Sequence, residues 1–417
     1  MIQRHTCENG LRIVTEKIPS VRSVALGIWV GTGSKYETKQ DNGISHFLEH
    51  MFFKGTTSRS AKEIAETFDE IGGNVNAFTS KEYTCYYARV LDQHAPIALD
   101  VLADMYFHSV FDEEELEKEK NVVIEEISMY EDTPDDLVHD LIARASFADH
   151  PLGSPILGTD EVLRALKRDD LINYIERRYL PTNTVVTVAG NFDDSLIEEI
   201  KRRFSAFQRH AQQMDVAQPV FAANALAQHK ATEQAHLCIS LPGYPVGHEE
   251  IYSLILLNNV LGGSMSSRLF QEIREERGLA YSVYSYHSSY KETGTFTIYT
   301  GTAPEQVGQV FDIVAHVLRD VAENGITDKE LNKGKEQLKG SLMLSLESTN
   351  SRMSRLGKNE LLLGRHLTLD EILAKIDRVS HESVHAVARE LFRSKLALAM
   401  VSPLDGFPAN VKSDILL

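Results

Sequence analysis

Short apolar runs alternate with longer amphipathic ones along this chain. Arg12-Ile13-Val14 and Val24-Ala25-Leu26-Gly27-Ile28-Trp29-Val30 are rich in apolar and β-branched residues and short enough for strands. Residues 60–72 repeat their apolar positions with a helical period, with Ser60 placed as an N-cap and Gly72-Gly73 as a stop. Residues 77–90 read as strands, 95–110 as a helix, 112–130 as a long charged helix and 184–190 as a closing strand.

The second half repeats these elements in the same order. Residues 236–241 answer 25–30, a helix over 249–261 stops at Gly262-Gly263, and 296–300 is a strand. A charged helix opens at Asp328-Lys329-Glu330-Leu331, and 396–401 closes the half. The matching elements are offset by roughly 211 to 215 residues, a duplication of a whole domain and far longer than a solenoid repeat. Strands mixed with long helices, without strict β-α-β alternation, predict an α+β fold. Two homologous domains are expected, each a mainly antiparallel sheet packed with helices on one face. The expected division is 1–207, an Ala- and Gln-rich linker over 208–224 containing Pro219, and 225–417.

Length and composition agree with that division. A chain of 417 residues exceeds one ordinary domain, and its 42% hydrophobic residues suffice for two cores. The formal net charge of -17 argues against nucleic acid or an anionic membrane as partner. Cys7, Cys85 and Cys238 are isolated and odd in number, which fits a reducing compartment and no cysteine-based zinc site. The N-terminus has no apolar signal region, and no run of about 18 apolar residues occurs, so a cytoplasmic location is expected.

One stretch departs from the greasy pattern around it. Gly43 to Thr56 reads GISHFLEHMFFKGT, placing two histidines and a glutamate within five residues. On a helix His46 and His50 lie one turn apart on the same face, and Glu49 joins them. Two imidazoles at that spacing can hold one zinc ion, with a neighbouring carboxylate to deprotonate water: the order H-x-x-E-H of an inverted zincin. The alternative is a surface helix with a few polar residues. The apolar flanks Phe47, Leu48, Met51, Phe52 and Phe53 argue for burial, and buried imidazoles need partners. The second-half counterpart, near 253–259, reads SLILLNN, so the fold itself does not require the motif.

A catalytic zinc needs a third protein ligand. Residues 113–132 offer many acids, most of them facing solvent as on any charged helix. Helical spacing puts Glu126 beside Val122, Val123 and Tyr130, on an apolar stripe, and Glu125 toward the rim. Glu119, two turns before Glu126, either supports a ligand or is one more solvated acid.

Together these residues resemble the pitrilysin family of inverted-zincin metallopeptidases, most nearly its mitochondrial-processing-peptidase-like subgroup with the bacterial processing proteases. The resemblance covers nearly the whole chain. It includes His46-x-x-Glu49-His50 with Glu126 76 residues later, and Gly72-Gly73-x-x-Asn76-Ala77-Phe78-Thr79. It also includes His150-Pro151-Leu152-Gly153, Ser267-Arg268-Leu269-Phe270 and the run from Arg274 to Tyr281.

The resemblance implies one Zn²⁺ per chain, held by His46, His50 and Glu126, with Glu49 as general base and Glu119 assisting catalysis. It implies a metallopeptidase clamshell half, closed by a homodimer into a chamber that encloses the substrate. Asn76, Ala77 and Phe78 would lie on an edge strand that pairs with peptide substrate; read alone, they are an ordinary strand after a Gly-Gly turn. Arg274 and Tyr281 would bind substrate near the scissile bond, with Tyr281 stabilising the oxyanion. Read alone they are an arginine on a charged helix end and a tyrosine in the next strand. The second domain would bind substrate and form dimers, and a two-domain chain would complete its site as a homodimer, Arg274 and Tyr281 serving the partner chain. The expected activity is that of a zinc metalloendopeptidase. The alternatives are a non-catalytic peptide-binding or assembly subunit of the same fold, a small-molecule hydrolase and a structural zinc site. Phe52-Phe53 and the acidic surplus point weakly to hydrophobic or basic side chains near the site.

Overall fold

The computed structural model describes residues 2–209 and 216–414. They form two compact units, each an α+β sheet with helices packed on it. The first unit holds strands β1 (Ile2–Thr6), β2 (Arg12–Lys17), β3 (Ser23–Val30), β4 (Asn74–Thr79), β5 (Thr84–Leu91) and β6 (Thr184–Gly190). Their order across the sheet is β1-β2-β6-β3-β5-β4, antiparallel except for the β2–β6 pair, so β4 is an edge strand.

Alternation along β3 sorts its side chains to two faces. Leu26 and Ile28 meet Phe47 and Leu48 of the helix Ile44–Met51 and Leu99 and Leu102 of the helix Ala95–His108 in one continuous core. Ala25 and Trp29 point the other way, into a second apolar layer with Val14, Val185 and Ala189. That layer is covered by the helix Thr349–Leu362 through Met353 and Leu356. A Cβ on Gly357 would stand 2.2 Å from the Trp29 ring, so the helix can lie this close only with glycine there. The fully buried Glu360 carboxylate takes Arg4 at 2.9 Å and Arg12 at 3.4 Å.

The second unit repeats the plan with β7 (Ala225–His229), β8 (Ala235–Gly243), β9 (Ala280–Ser289), β10 (Gly294–Thr302) and β11 (Ala397–Ser402), in the order β7-β11-β8-β10-β9. Only β7 and β11 run parallel. The helices Ile251–Leu261, Val307–Asn324 and His381–Leu391 supply the core on one face. The helix Pro134–Phe147 covers the other with Val138, Ile142 and Ala145.

Two expectations are corrected here. Helices cover both faces of each sheet rather than one, because both faces of the central strands are apolar. The units are also not the continuous halves 1–207 and 225–417. Residues 128–154 belong to the second unit and 343–366 to the first, so the helices Pro134–Phe147 and Thr349–Leu362 are reciprocally exchanged. The change of unit at Val216/Ala217 falls within the expected linker, of which residues 210–215 lie outside the described residues. No helix among the described residues is long and apolar enough to cross a membrane.

Candidate metal centre

The helix Ile44–Met51 begins at Gly43, whose φ of 96° lies in the left-handed region that glycine tolerates. Its first amides are satisfied from outside the helix. Glu37 Oε2 accepts from Gly43 N–H at 2.7 Å and its Oε1 from Ser45 N–H at 2.9 Å. A buried carboxylate at a helix N-terminus also meets the positive end of the helix dipole. The Ser45 hydroxyl lies 2.9 Å from that of Tyr174, which fixes the helix from its other side. Phe47, Leu48, Met51 and Phe52 are buried, so the helix cannot turn about its axis, and the polar face is presented in one direction.

The three expected ligands come together at that face, Glu126 reaching it from the helix Glu113–Asp132. One ligand atom each from His46, His50 and Glu126 lies within 4.8 Å of the others. Glu126 Oε2 is 3.7 Å from His46 Nε2 and 3.5 Å from His50 Nε2. The other nitrogen of His50, Nδ1, is 2.8 Å from Glu119 Oε1, and the second oxygen of Glu119 takes the Lys54 ammonium. That bond leaves His50 Nε2 aimed at the shared space. Two imidazole nitrogens and one carboxylate oxygen converging on one point fit a zinc ion with an open position.

Electrostatics at the centre follow from burial and these contacts. Burial, and then the neighbouring His50, push the His46 pKa down to about 3, so its ring is neutral and its lone pair available. Burial works the same way at His50, but the Glu119 hydrogen bond and charge, with Glu126 and Glu49, raise its pKa on balance. A divalent cation would take the place of that proton. Burial alone would raise the Glu119 pKa; the bonds from His50 and Lys54 hold it below the ordinary value. Glu49, half-buried, is raised by burial against the opposing hydrogen bond from Thr79, whose Oγ1 donates to Glu49 Oε2 at 2.6 Å.

Asn76, Ala77 and Phe78 lie on edge strand β4, which ends at Thr79. Arg274 and Tyr281 lie in the second unit. The Arg274 guanidinium is held between two rings, 4.4 Å from the Tyr281 centroid and 4.8 Å from that of Phe270. Arg274 sits on a π-helical turn, Phe270–Glu275, half-buried with Glu275 Oε1 3.6 Å from its Nε, and Tyr281 is 77% exposed.

Several expectations change. Glu119 is not a solvated acid but buried, as are Lys120, Val123 and Ile127 on the same helix. Val122 and Tyr130 are exposed, so Glu126 stands at the margin of the buried stripe rather than on it. Phe52 packs against Tyr86, Tyr106, Phe111 and Tyr179 and is core, with no surface for a substrate. Arg268 is bonded to Glu330, Asp320 and the carbonyl of Gly325 within the second unit. Sequence reasoning assigned no role to Glu37, Lys54 or Thr79. Thr79 stood inside a quoted motif, but only the paired strand shows that its hydroxyl meets Glu49.

A family model described as insulinase, peptidase family M16, matches residues 12–160. One described as the peptidase M16 inactive domain matches 165–338, the part whose helix Ile251–Leu261 carries no histidine. The protein named uncharacterized zinc protease YmxG of Bacillus subtilis (strain 168) is 59% identical over 409 residues, covering 98% of this chain and 100% of that one. An uncharacterized zinc protease of Streptomyces coelicolor is 44% identical, covering 97% of this chain and 90% of its own. A crystal structure titled as a peptidase M16 inactive domain from Pseudomonas fluorescens superposes with a TM-score of 0.90 over 98% of this chain and 99% of that one. A protease from Helicobacter pylori superposes with 0.89 over 97% and 99%. Their identities, 21% and 22%, carry the fold alone. Matched along nearly its whole length by such relatives, the chain belongs to the insulinase family of peptidases, family M16.

Proposed function

We propose that the protein is a zinc metalloendopeptidase that hydrolyses peptide bonds in extended peptides or unfolded segments. The observation that carries this is the convergence of His46 and His50, which share a helix with Glu49, and of Glu126 from the helix Glu113–Asp132, to within 4.8 Å of one another. Relatives named zinc proteases support it. Zinc, when bound, supplies Lewis acidity, which makes water acidic near neutral pH and polarises a carbonyl.

The chain's own groups do the rest. His46, His50 and Glu126 hold the ion, one per chain. Glu119 fixes the His50 ring through Nδ1. Glu49, oriented by Thr79, takes a proton from the attacking water and returns it to the departing amine. The free edge of β4 at Asn76, Ala77 and Phe78 holds the peptide by backbone pairing, which tolerates varied side chains. Arg274, stacked on Tyr281, donates to a substrate carbonyl, and the Tyr281 hydroxyl stabilises the tetrahedral oxyanion. We assign these two residues to the partner chain's site in a homodimer. Free thiols at Cys7, Cys85 and Cys238 support a cytoplasmic setting.

Mass spectrometry of products from a mixed peptide library, with and without chelator, tests the reading. Internal cleavages that vanish on chelation and return with zinc are expected. A metal-verified sample that cleaves nothing would leave the non-catalytic, peptide-binding alternative.

A further inference from the structure

The hairpin of β4 and β5 closes with Ser80 N–H donating to the carbonyl of Tyr83, 2.9 Å away. The amide of Ser80 therefore points inward, to the partner strand. Hydrogen-bonded and non-hydrogen-bonded pairs alternate along an antiparallel ladder. With the register Thr79↔Thr84, Phe78↔Cys85, Ala77↔Tyr86, the amides of Phe78 and Asn76 also point inward. Those of Thr79, Ala77 and Val75 point outward, to the free edge of the sheet. An unpaired outward amide is what an added strand would bind.

One of these amides is already bonded within the chain. The Ala77 N–H donates to the side-chain carbonyl Oδ1 of Asn76 at 2.8 Å. The acceptor comes from an exposed side chain one residue earlier, so the bond is local and its removal disturbs no core. Both groups lie where an arriving peptide carbonyl would have to go.

Resting on the reading of β4 as the substrate strand, we propose that Asn76 is a removable cap on the Ala77 amide. Its carboxamide closes the edge when no peptide is bound, and an extended peptide displaces it with a backbone carbonyl. The cap keeps the strand from pairing with other chains, at the expense of affinity for peptide. One net hydrogen bond corresponds to roughly a two- to tenfold change in binding.

The test uses the full chain carrying Glu49→Gln to prevent turnover, with and without Asn76→Ala. Hydrogen exchange at the Ala77 amide is measured in the free protein by fragmentation mass spectrometry. Binding is measured with a fluorescein-labelled decapeptide of alternating Ala and Thr, and with the same peptide N-methylated at every residue, which blocks both of its edges. Asn76→Ala is expected to speed exchange at Ala77 and to tighten peptide binding about two- to tenfold. Unchanged exchange, or binding that is unchanged or weaker, overturns the cap. Wild-type Asn76 chains that bind no peptide, or bind the N-methylated form equally well, overturn the strand reading and the cap with it. N-methyl-sensitive binding that Asn76→Ala does not tighten overturns the cap alone.

Discussion

The Thr79 hydroxyl donates to the Glu49 carboxylate across 2.6 Å, joining the end of the edge strand to the proposed general base. Thr79→Val keeps the shape and removes the donor. It is expected to lower kcat roughly ten- to a hundredfold, the scale of a misoriented catalytic group, with zinc content unchanged. Thr79→Ser should recover most of the loss. Equal kcat for the valine variant would detach Thr79 from catalysis.

Glu49→Gln should keep zinc and peptide binding and lose about a hundred- to ten-thousandfold in turnover. The check is steady-state hydrolysis of a peptide found in the library, on samples with measured zinc. Retained turnover would sink the general-base role.

Glu126 and Glu119 should separate by metal affinity. Glu126→Gln removes a proposed ligand and should weaken zinc binding by more than roughly a hundredfold in chelator competition. Glu119→Gln loosens only the support of His50 and should cost about ten- to a hundredfold. Equal zinc affinity for the Glu126→Gln and wild-type chains would reject Glu126 as a ligand.

Acid should weaken the second unit through Glu330. Burial favours its neutral form, but hydrogen bonds from Arg268 and Thr327 hold its pKa down to about 2, against an ordinary 4.5. With the folded value lower, the unfolded chain binds the proton first. The contribution is therefore complete above about pH 4.5 and is lost as pH falls toward 2. A shift of this size is worth at most about 3 kcal/mol. Glu330→Gln should lower Tm at neutral pH and flatten its decline below pH 4.5. A melting profile parallel to wild type across that range would show the pair to be inconsequential.

Gly357→Ala should destabilise the first unit. The new Cβ would stand 2.2 Å from the Trp29 ring, which is fully buried and cannot retreat. Overpacking of this kind costs about 1–3 kcal/mol or more, seen as a lower Tm and altered Trp29 fluorescence. An unchanged Tm would mean that the helix Thr349–Leu362 can shift outward without loss.

Completion of the site by a partner chain predicts complementation. Glu49→Gln and Arg274→Ala chains, each nearly inactive alone, should regain activity on mixing, because one mixed site keeps both residues. Mixed dimers that remain inactive, beside an active wild-type control, exclude that arrangement.

Much of the fold was legible because apolar period encodes secondary structure directly. The expected helix over 95–110 is Ala95–His108, and the run 112–130 is Glu113–Asp132. The strands expected over 77–90 are the hairpin β4 and β5, whose division the pattern does not place because nothing in Ser80-Lys81-Glu82-Tyr83 is a strong turn signal. Helix exchange left no trace in local pattern. The apolar residues of Thr349–Leu362 say that one face is buried, not which sheet it meets.

The sequence by itself determined the two-domain α+β plan and the reactive face of one helix. Spacing along the chain dictates which side chains share a helix face, and residue type dictates what they can bind. Tertiary structure decided which distant groups meet that face. It brought Glu126 to His46 and His50, buried Glu119 behind His50, set Thr79 against Glu49, and left β4 as the free edge. It also removed Phe52 to the core. Those outcomes depend on packing and strand order between segments far apart in the chain, which no local period records.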